Sequence, residues 1–385
     1  MFVHLILNTD TSHFHGGSIT YKPLDNTAIN SSEVSIIITQ TYSYTWTKVT
    51  CTNSMILNQT QLYLGSLGGN GESLNCLANC STSGGYVPIP VTPYCTDYST
   101  TLNLTVGQRM DMVNISANSY FTVAFISSNS NKNWNIACTI DLRVRPDGFI
   151  NTPPVASMIS PIAVPAGIRQ YIPVPTLDAD NDYVQCRFST KSPVDQCGDV
   201  CATAALPTGT IVYPNCTFAI TGVTSGDLYS VAIQVEDFYN SSTSTPFSSV
   251  PVQFLISVYS IPSCALIPTL TSADLPDSCT AVQAGQPYSL QLFAKNNCGN
   301  GTTIKDIGTL SFPIVSKSAL IMNATADTWY VTLTWTPTIL EIGAQVLCAV
   351  AVDSKNVQSD QYCITFMVVA AGSPLNCPGD TTITR

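Results

Sequence analysis

Tyr229-Ser230-Val231-Ala232-Ile233-Gln234-Val235-Glu236-Asp237 carries a large apolar side chain at every second position and ends on two carboxylates. A period of two sends successive side chains to opposite faces of an extended chain, so this stretch predicts a strand with one buried face. Tyr42, Tyr44 and Trp46 alternate with Ser43, Thr45 and Thr47 in the same way, and Trp329, Val331, Leu333 and Trp335 alternate with Tyr330, Thr332 and Thr334. Helical periodicity is nearly absent. The predicted fold class is all-β, built as tandem antiparallel β-sandwiches.

The pattern recurs along the chain. Val235-Glu236-Asp237 is matched by Ala351-Val352-Asp353, 116 positions on, and each is followed by a polar turn and a closing strand, at 252–258 and 362–369. Ala166-Gly167 leads into a strand at 171–174, and Ala284-Gly285, 118 positions on, into one at 288–292. A glycine turn and an Asp-turn hairpin at this spacing describe tandem immunoglobulin-like or cadherin-like units. Asn151-Thr152-Pro153-Pro154 and Ile261-Pro262-Ser263 read as linkers, with a weaker break at Gly372-Ser373-Pro374. The predicted plan is an N-terminal β-sandwich over 1–148, immunoglobulin/cadherin-like modules over 152–259 and 262–370, and the start of a further module over 371–385.

Composition narrows the function classes. The 385 residues exceed one ordinary core, and only 10% are charged, where soluble domains carry about a quarter. A net charge of −10 without a Lys/Arg cluster argues against nucleic acid or anionic membrane as partner. No run reaches the roughly 18–20 apolar residues of a membrane span. The apolar opening, residues 1–7, is too short for a signal peptide, so a secreted protein would have to have lost its leader from this sequence.

Two features predict secretion. There are 15 cysteines: Cys51, Cys76, Cys80, Cys95 and Cys138; Cys186, Cys197, Cys201 and Cys216; Cys264, Cys279, Cys298, Cys348 and Cys363; and Cys377. In an all-β chain this density predicts disulfides and an oxidising compartment. Cys197–Cys201 and Cys186–Cys216 are the predicted pairs of the second module, and odd Cys377 is expected to pair outside this chain, which then reads as a fragment. Asn-x-Ser/Thr acceptors stand at Asn30, Asn58, Asn79, Asn103, Asn114, Asn215, Asn240, Asn300 and Asn323, a modest excess over chance that predicts glycosylation.

Few residues suggest chemistry. Leu177-Asp178-Ala179-Asp180-Asn181-Asp182 is the only dense acidic cluster. Asp178, Asp180 and Asp182 at alternate positions suit a hard cation such as Ca²⁺; the other reading is a polar turn between strands. The three histidines, His4, His13 and His15, all precede residue 16. His13 and His15 at strand spacing could bind a metal or act as a base, but they also read as ordinary edge-strand residues. His15-Gly16-Gly17 is faintly similar to an esterase oxyanion loop, yet no G-x-S-x-G elbow accompanies it. Trp329 and Trp335 fit core positions, whereas Trp134 in the polar segment 129–135 leaves a sugar-stacking role open.

Ser12-His13-Phe14-His15-Gly16-Gly17-Ser18-Ile19 resembles the "HFRGGTI"-like opening of large modular extracellular proteins of invertebrates, with His15 in place of the usual Arg. The resemblance continues through Asp141-Leu142-Arg143-Val144-Arg145, Gly148-Phe149-Ile150-Asn151-Thr152-Pro153-Pro154, Cys197 to Cys201, Ser249-Val250-Pro251-Val252-Gln253-Phe254-Leu255 and Trp335-Thr336-Pro337. Cys377-Pro378-Gly379-Asp380-Thr381-Thr382-Ile383 is similar to the start of a hyalin-type repeat. The resemblance implies an N-terminal β-domain followed by immunoglobulin/cadherin-like units and an adhesive or matrix role, with no catalytic residues. The expectation is thus a non-enzymatic extracellular or cell-surface glycoprotein that meets proteins or glycans and takes no cofactor unless calcium. The rival expectations are a glycan-binding lectin using Trp134 and, second, a hydrolase using His13 or His15.

Overall fold

The computed structural model describes residues 13–65, 72–127, 133–201, 205–261, 264, 266–274, 278–299, 301–313, 315–323 and 327–380. His4, Pro262, Ser263, Asn300 and the 381–383 end of the hyalin-like motif lie outside them. Twenty-six strands in five sheets stand against a single five-residue helix, Asn53–Leu57, among the described residues. The fold is all-β, as the alternation predicts.

The strand Ser248–Tyr259 organises the first two thirds of the molecule. One of its edges pairs antiparallel with Leu228–Phe238, from Asp237↔Ser248 to Leu228↔Ser257. The other edge is shared by three strands in turn. Ser249 meets Thr139 of Trp134–Asp141, Val252 and Gln253 meet Ser18 and Gly17 of Phe14–Pro23, and Ile256 to Tyr259 run parallel to Ile162–Pro165. A strand between two cores is buried on both faces. Accordingly Val250 and Leu255 join the core of the N-terminal unit, while Val252, Phe254, Ile256 and Val258 join that of the second.

One hydrogen-bonded sheet therefore runs from the N-terminal strands into the second unit. Asn151-Thr152-Pro153-Pro154 connects the two along the chain, and the sheet connects them in space. Gly16 and Gly17 make the close approach possible. Gly16 has φ +102°, and a Cβ there would lie 2.1 Å from the Gln253 carbonyl oxygen; at Gly17 it would lie 2.1 Å from that of Thr41. Only glycine combines that φ with that clearance. A register shift between Phe14 and Gly16 marks a bulge at the same point.

The second and third units share one strand plan. In each, a short strand runs parallel to the closing strand: Ile162–Pro165 beside Ser248–Tyr259, and Cys279–Gln283 beside Tyr362–Val369. Each then turns at a left-handed glycine, Gly167 (φ +75°) or Gly285 (φ +79°). Each closing hairpin is anchored by its Asp: Asp237 Oδ1 accepts from the Ser248 amide, and Asp353 Oδ1 from those of Lys355 and Val357. The third unit has a separate core around Trp335, Phe312 and Phe366.

The third unit folds back onto the N-terminal one. Leu104 and Val106 of the first, Ile159 of the second, and Leu310, Val346, Cys348 and Val350 of the third form one buried apolar cluster. Beside it Lys317 Nζ lies 2.8 Å from Asp97 Oδ1, Thr309 Oγ1 donates to Asp97 Oδ2, and Ser99 Oγ donates to Asp306. Lys22 Nζ donates to the Leu340 and Ile342 carbonyls.

Seven disulfides are present: Cys51–Cys95, Cys76–Cys80, Cys186–Cys216, Cys197–Cys201, Cys264–Cys298, Cys279–Cys377 and Cys348–Cys363. The expectation that Cys377 pairs outside the chain is corrected. Cys377 closes on Cys279 across 98 residues, and the unpaired thiol is Cys138, buried in the N-terminal core. Parity can count a leftover cysteine but cannot say which one it is, because pairing depends on distance in the fold.

Candidate functional site: an acidic pocket filled by arginine

The acidic loop follows the short strand Thr176–Leu177, which pairs with Val155–Ala156 just after the proline linker. Asn181 adopts a left-handed conformation, φ +60°, so the loop turns tightly enough to gather its carboxylates. Asp178 is buried, and its Oδ1 accepts from the amides of Asp180 (3.0 Å) and Asp182 (2.9 Å). Asp178 Oδ2 is buried without a hydrogen-bond partner.

Asp178, Asp180 and Asp182 are brought together with Asp237 and Asn151. Asp237 is fully buried at the end of Leu228–Phe238; Asn151 Nδ2 donates to its Oδ2 at 2.6 Å, and Ser248 Oγ to its Oδ1. Oxygens of Asp178, Asp182 and Asp237 all lie within 4.8 Å of one another, a spacing compatible with one shared cation.

Arg145 enters this pocket. It leaves a tight hairpin in which the Arg145 amide donates to the Phe149 carbonyl and Gly148 takes φ +88°. Its guanidinium, 5% exposed, forms a fork on Asp182, with Nη1 2.7 Å from Oδ2 and Nη2 2.8 Å from Oδ1. Nη1 also reaches Asp180 Oδ2 at 2.8 Å and Asn151 Oδ1 at 3.0 Å, and Nη2 lies 3.0 Å from Asp147 Oδ2. The Phe247 ring covers the cation at 4.7 Å. The Thr152 amide closes the ring of contacts by donating to Asp180 Oδ2 at 2.7 Å.

Burial raises the pKa of the carboxylates despite the guanidinium. Asp182 is pushed up to about 6 by desolvation, opposed by Arg145. Asp178 rises well above the ordinary carboxylate range, from burial first and then from the charges of Asp237, Asp182 and Asp180. Desolvation likewise raises Asp180 and Asp237. The pocket holds more negative charge than one guanidinium balances.

Neither Arg145 nor Asp237 is singled out by the sequence reading. Arg145 appears there only inside a family-like motif, and Asp237 only as a turn marker. The signal for Arg145 is its rarity: it is one of 14 basic residues and lies just before the linker that meets the acidic loop.

The other predicted residues find structural places. Cys197–Cys201 and Cys186–Cys216 are bonded. Cys197 and Val200 sit in the core of the N-terminal unit, and the Asp199 amide donates to the Asn133 carbonyl at 2.8 Å, so this loop plugs one unit into the next. His15 is buried, its Nε2 2.9 Å from Thr45 Oγ1, while His13 is half-buried nearby. Trp134, left open for sugar stacking, is corrected to a core residue. It is fully buried, with Phe14 edge-on at 5.4 Å. The polar segment in which it stands hides that Trp134 opens the buried strand Trp134–Asp141. Trp329 and Trp335 are also buried in core.

Asn30, Asn58, Asn79, Asn103, Asn114, Asn215 and Asn240 are exposed and Asn323 is half-exposed. Among the described residues no helix is long and apolar enough to cross a membrane. A cleft of about 360 Å³ between the second and third units is lined by Pro173, Val174, Pro175, Leu177, Asn215 and Thr365, without a nucleophile–base pair.

No family model and no curated protein matches the chain. Solved structures do match. The SrpA adhesin of Streptococcus sanguinis aligns at 17% identity over 28% of this chain and 59% of its own, with a TM-score of 0.24, so the chain spans little more than half its length. A sialic acid binding region of the Streptococcus sanguinis SK1 adhesin aligns at 10% identity over 57% of this chain and 78% of its own, TM-score 0.21. The Dpr2 Ig1-Ig2 complex with DIP-Theta Ig1-Ig3 aligns at 8% identity over 87% and 94%, TM-score 0.20. With TM-scores this low, the chain's own residues carry its functional reading.

Proposed function

We propose that the chain is a non-enzymatic extracellular adhesion or recognition protein: a disulfide-stapled, glycosylated β-body that presents loops and sheet faces to protein or glycan partners. The observation that carries this reading is the coincidence of seven disulfides with acceptor asparagines that reach solvent at every described site. Disulfides of this density are characteristic of oxidising compartments. Glycans on Asn30, Asn58, Asn114 and Asn240 would also keep soluble a surface poor in charge. Sheets that cross between units hold loops at fixed positions, which suits recognition by shape.

The lectin alternative loses the residue that suggested it, since a sugar cannot stack on a fully buried Trp134. The hydrolase alternative relies on histidines, and burial lowers the His15 pKa to about 4 with its Nε2 engaged by Thr45.

Secretion of the chain behind a supplied leader, followed by glycopeptide mass spectrometry and display on beads against extracellular-protein and glycan arrays, tests the reading. Occupied acceptors and saturable binding to an extracellular protein, retained after the partner is deglycosylated, are the expected result. Binding only to glycans would move the assignment to a lectin. Empty acceptors and a reduced, retained chain would overturn the extracellular reading.

A further inference from the structure

The acidic loop has the composition of a hard-cation site, and a cation is already at its centre. Asp180 and Asp182 direct three oxygens to the Arg145 guanidinium at 2.7–2.8 Å, and Asn151 directs its Oδ1 there at 3.0 Å. Below this layer the three mutually close carboxylates Asp178, Asp182 and Asp237 remain, with Asp178 Oδ2 buried, unpartnered and Asp178 only 6% exposed.

The arrangement joins two units. Arg145 comes from the hairpin that ends the N-terminal unit, and Asp180 and Asp182 come from the second. Asn151 in the linker touches both Arg145 and Asp237. A divalent ion at such a place would tie linker and loop together by ligating their oxygens. The guanidinium contacts the same groups, and its flat fork matches the Asp182 carboxylate on both oxygens, which a lysine could not do.

We propose that Arg145 is a built-in substitute for a metal ion, so that the junction between the first two units is rigid without calcium, and that Asp178, Asp182 and Asp237 form a latent divalent-cation pocket that becomes competent when the guanidinium is removed. The proposal is independent of what the protein binds, because it concerns the junction alone.

The test uses the full secreted chain, stripped of divalent ions by chelation. Thermal melts and isothermal titration are run with calcium chloride on the wild type and on Arg145→Met. The wild type is expected to melt at the same temperature in chelator and in calcium, and to show no binding heat. Arg145→Met should melt lower in chelator by on the order of 5–10 °C, because buried carboxylates lose their counter-charge. It should also bind one calcium equivalent and regain part of the loss, and adding Asp178→Asn should abolish that response.

Should Arg145→Met not be secreted, Arg145→Met/Asp180→Asn/Asp182→Asn removes the cation together with two of its counter-charges. It is expected to be secreted and to melt near the wild type; failure to do so would overturn the charge-balance argument. A wild type that binds calcium and melts higher with it, with the rise lost in Asp178→Asn, would overturn the proposal outright. So would Arg145→Met melting like the wild type in chelator. An Arg145→Met melt lowered but unmoved by calcium would overturn the latent pocket.

Discussion

His15 is fully enclosed by the bulged start of Phe14–Pro23, with Thr45 on its Nε2 and the Ser160 hydroxyl on its backbone carbonyl. Burial lowers its pKa from 6.5 to about 4, with the Ser160 backbone opposing and His13 adding to the fall. Between about pH 6.5 and pH 4 the unfolded chain therefore binds a proton that the folded one refuses. Stability must fall as pH drops through that window and level off below it, by on the order of 3 kcal/mol in all. Asp182, raised to about 6, acts in the opposite direction, because the folded state takes up its proton first. The comparison that isolates His15 is urea unfolding of wild type and His15→Gln at pH 7 and pH 4.5. The variant should lose markedly less stability than the wild type on acidification, and equal losses would refute the assignment. Gly16 beside it was legible as a motif glycine, but its purpose was not. The carbonyl it must clear belongs to Gln253, more than two hundred positions away.

At the scale of elements, strand periodicity carries most of the fold. Alternation in Thr328–Trp335 marks a strand that buries one face of a sandwich, whereas Leu228–Phe238, which alternates in the same way, is buried on both faces from Val231 on. Ser248–Tyr259 is buried along nearly its whole length because it has a core on each side, and its buried Gln253 donates to the Asn135 and Gln196 carbonyls. The polar ties between elements follow a different rule. Asp97, from Tyr94–Ser99, is 4% exposed and paired with Lys317, from Ser316–Lys317, which is 20% exposed. Removing one partner leaves a buried uncompensated charge, whereas removing both leaves an apolar gap. Asp97→Asn and Lys317→Met are each expected to cost about 3 kcal/mol in chemical denaturation, and the double variant less than the sum. Strict additivity of the two would mean that the pair does not bridge the units.

On the scale of the whole molecule, the chain doubles back. Leu104, Ile159 and Val346 come from three units and share one cluster, so the third unit does not extend a rod. A compact body of this length has a radius of gyration of about 21 Å, against roughly 30 Å for three modules set end to end. Small-angle scattering of the deglycosylated chain should give a value near the lower figure. A value near the upper one would show that Asp97–Lys317 and its neighbours do not hold in solution.

Local rules determined the β class, the repeated glycine turn and Asp hairpin of the second and third units, and the acidic loop at Asp178, Asp180 and Asp182. Each depends on side-chain period or turn chemistry within about ten residues, which a linear reading can see. The tertiary structure alone decided that Cys377 closes on Cys279, that Cys138 is left free, and that Trp134 is core. It also decided that Arg145 fills the pocket prepared by the acidic loop. These outcomes depend on which distant segments share an edge, a core or a charge. Sequence spacing does not encode such proximity until the strand Ser248–Tyr259 has joined the units.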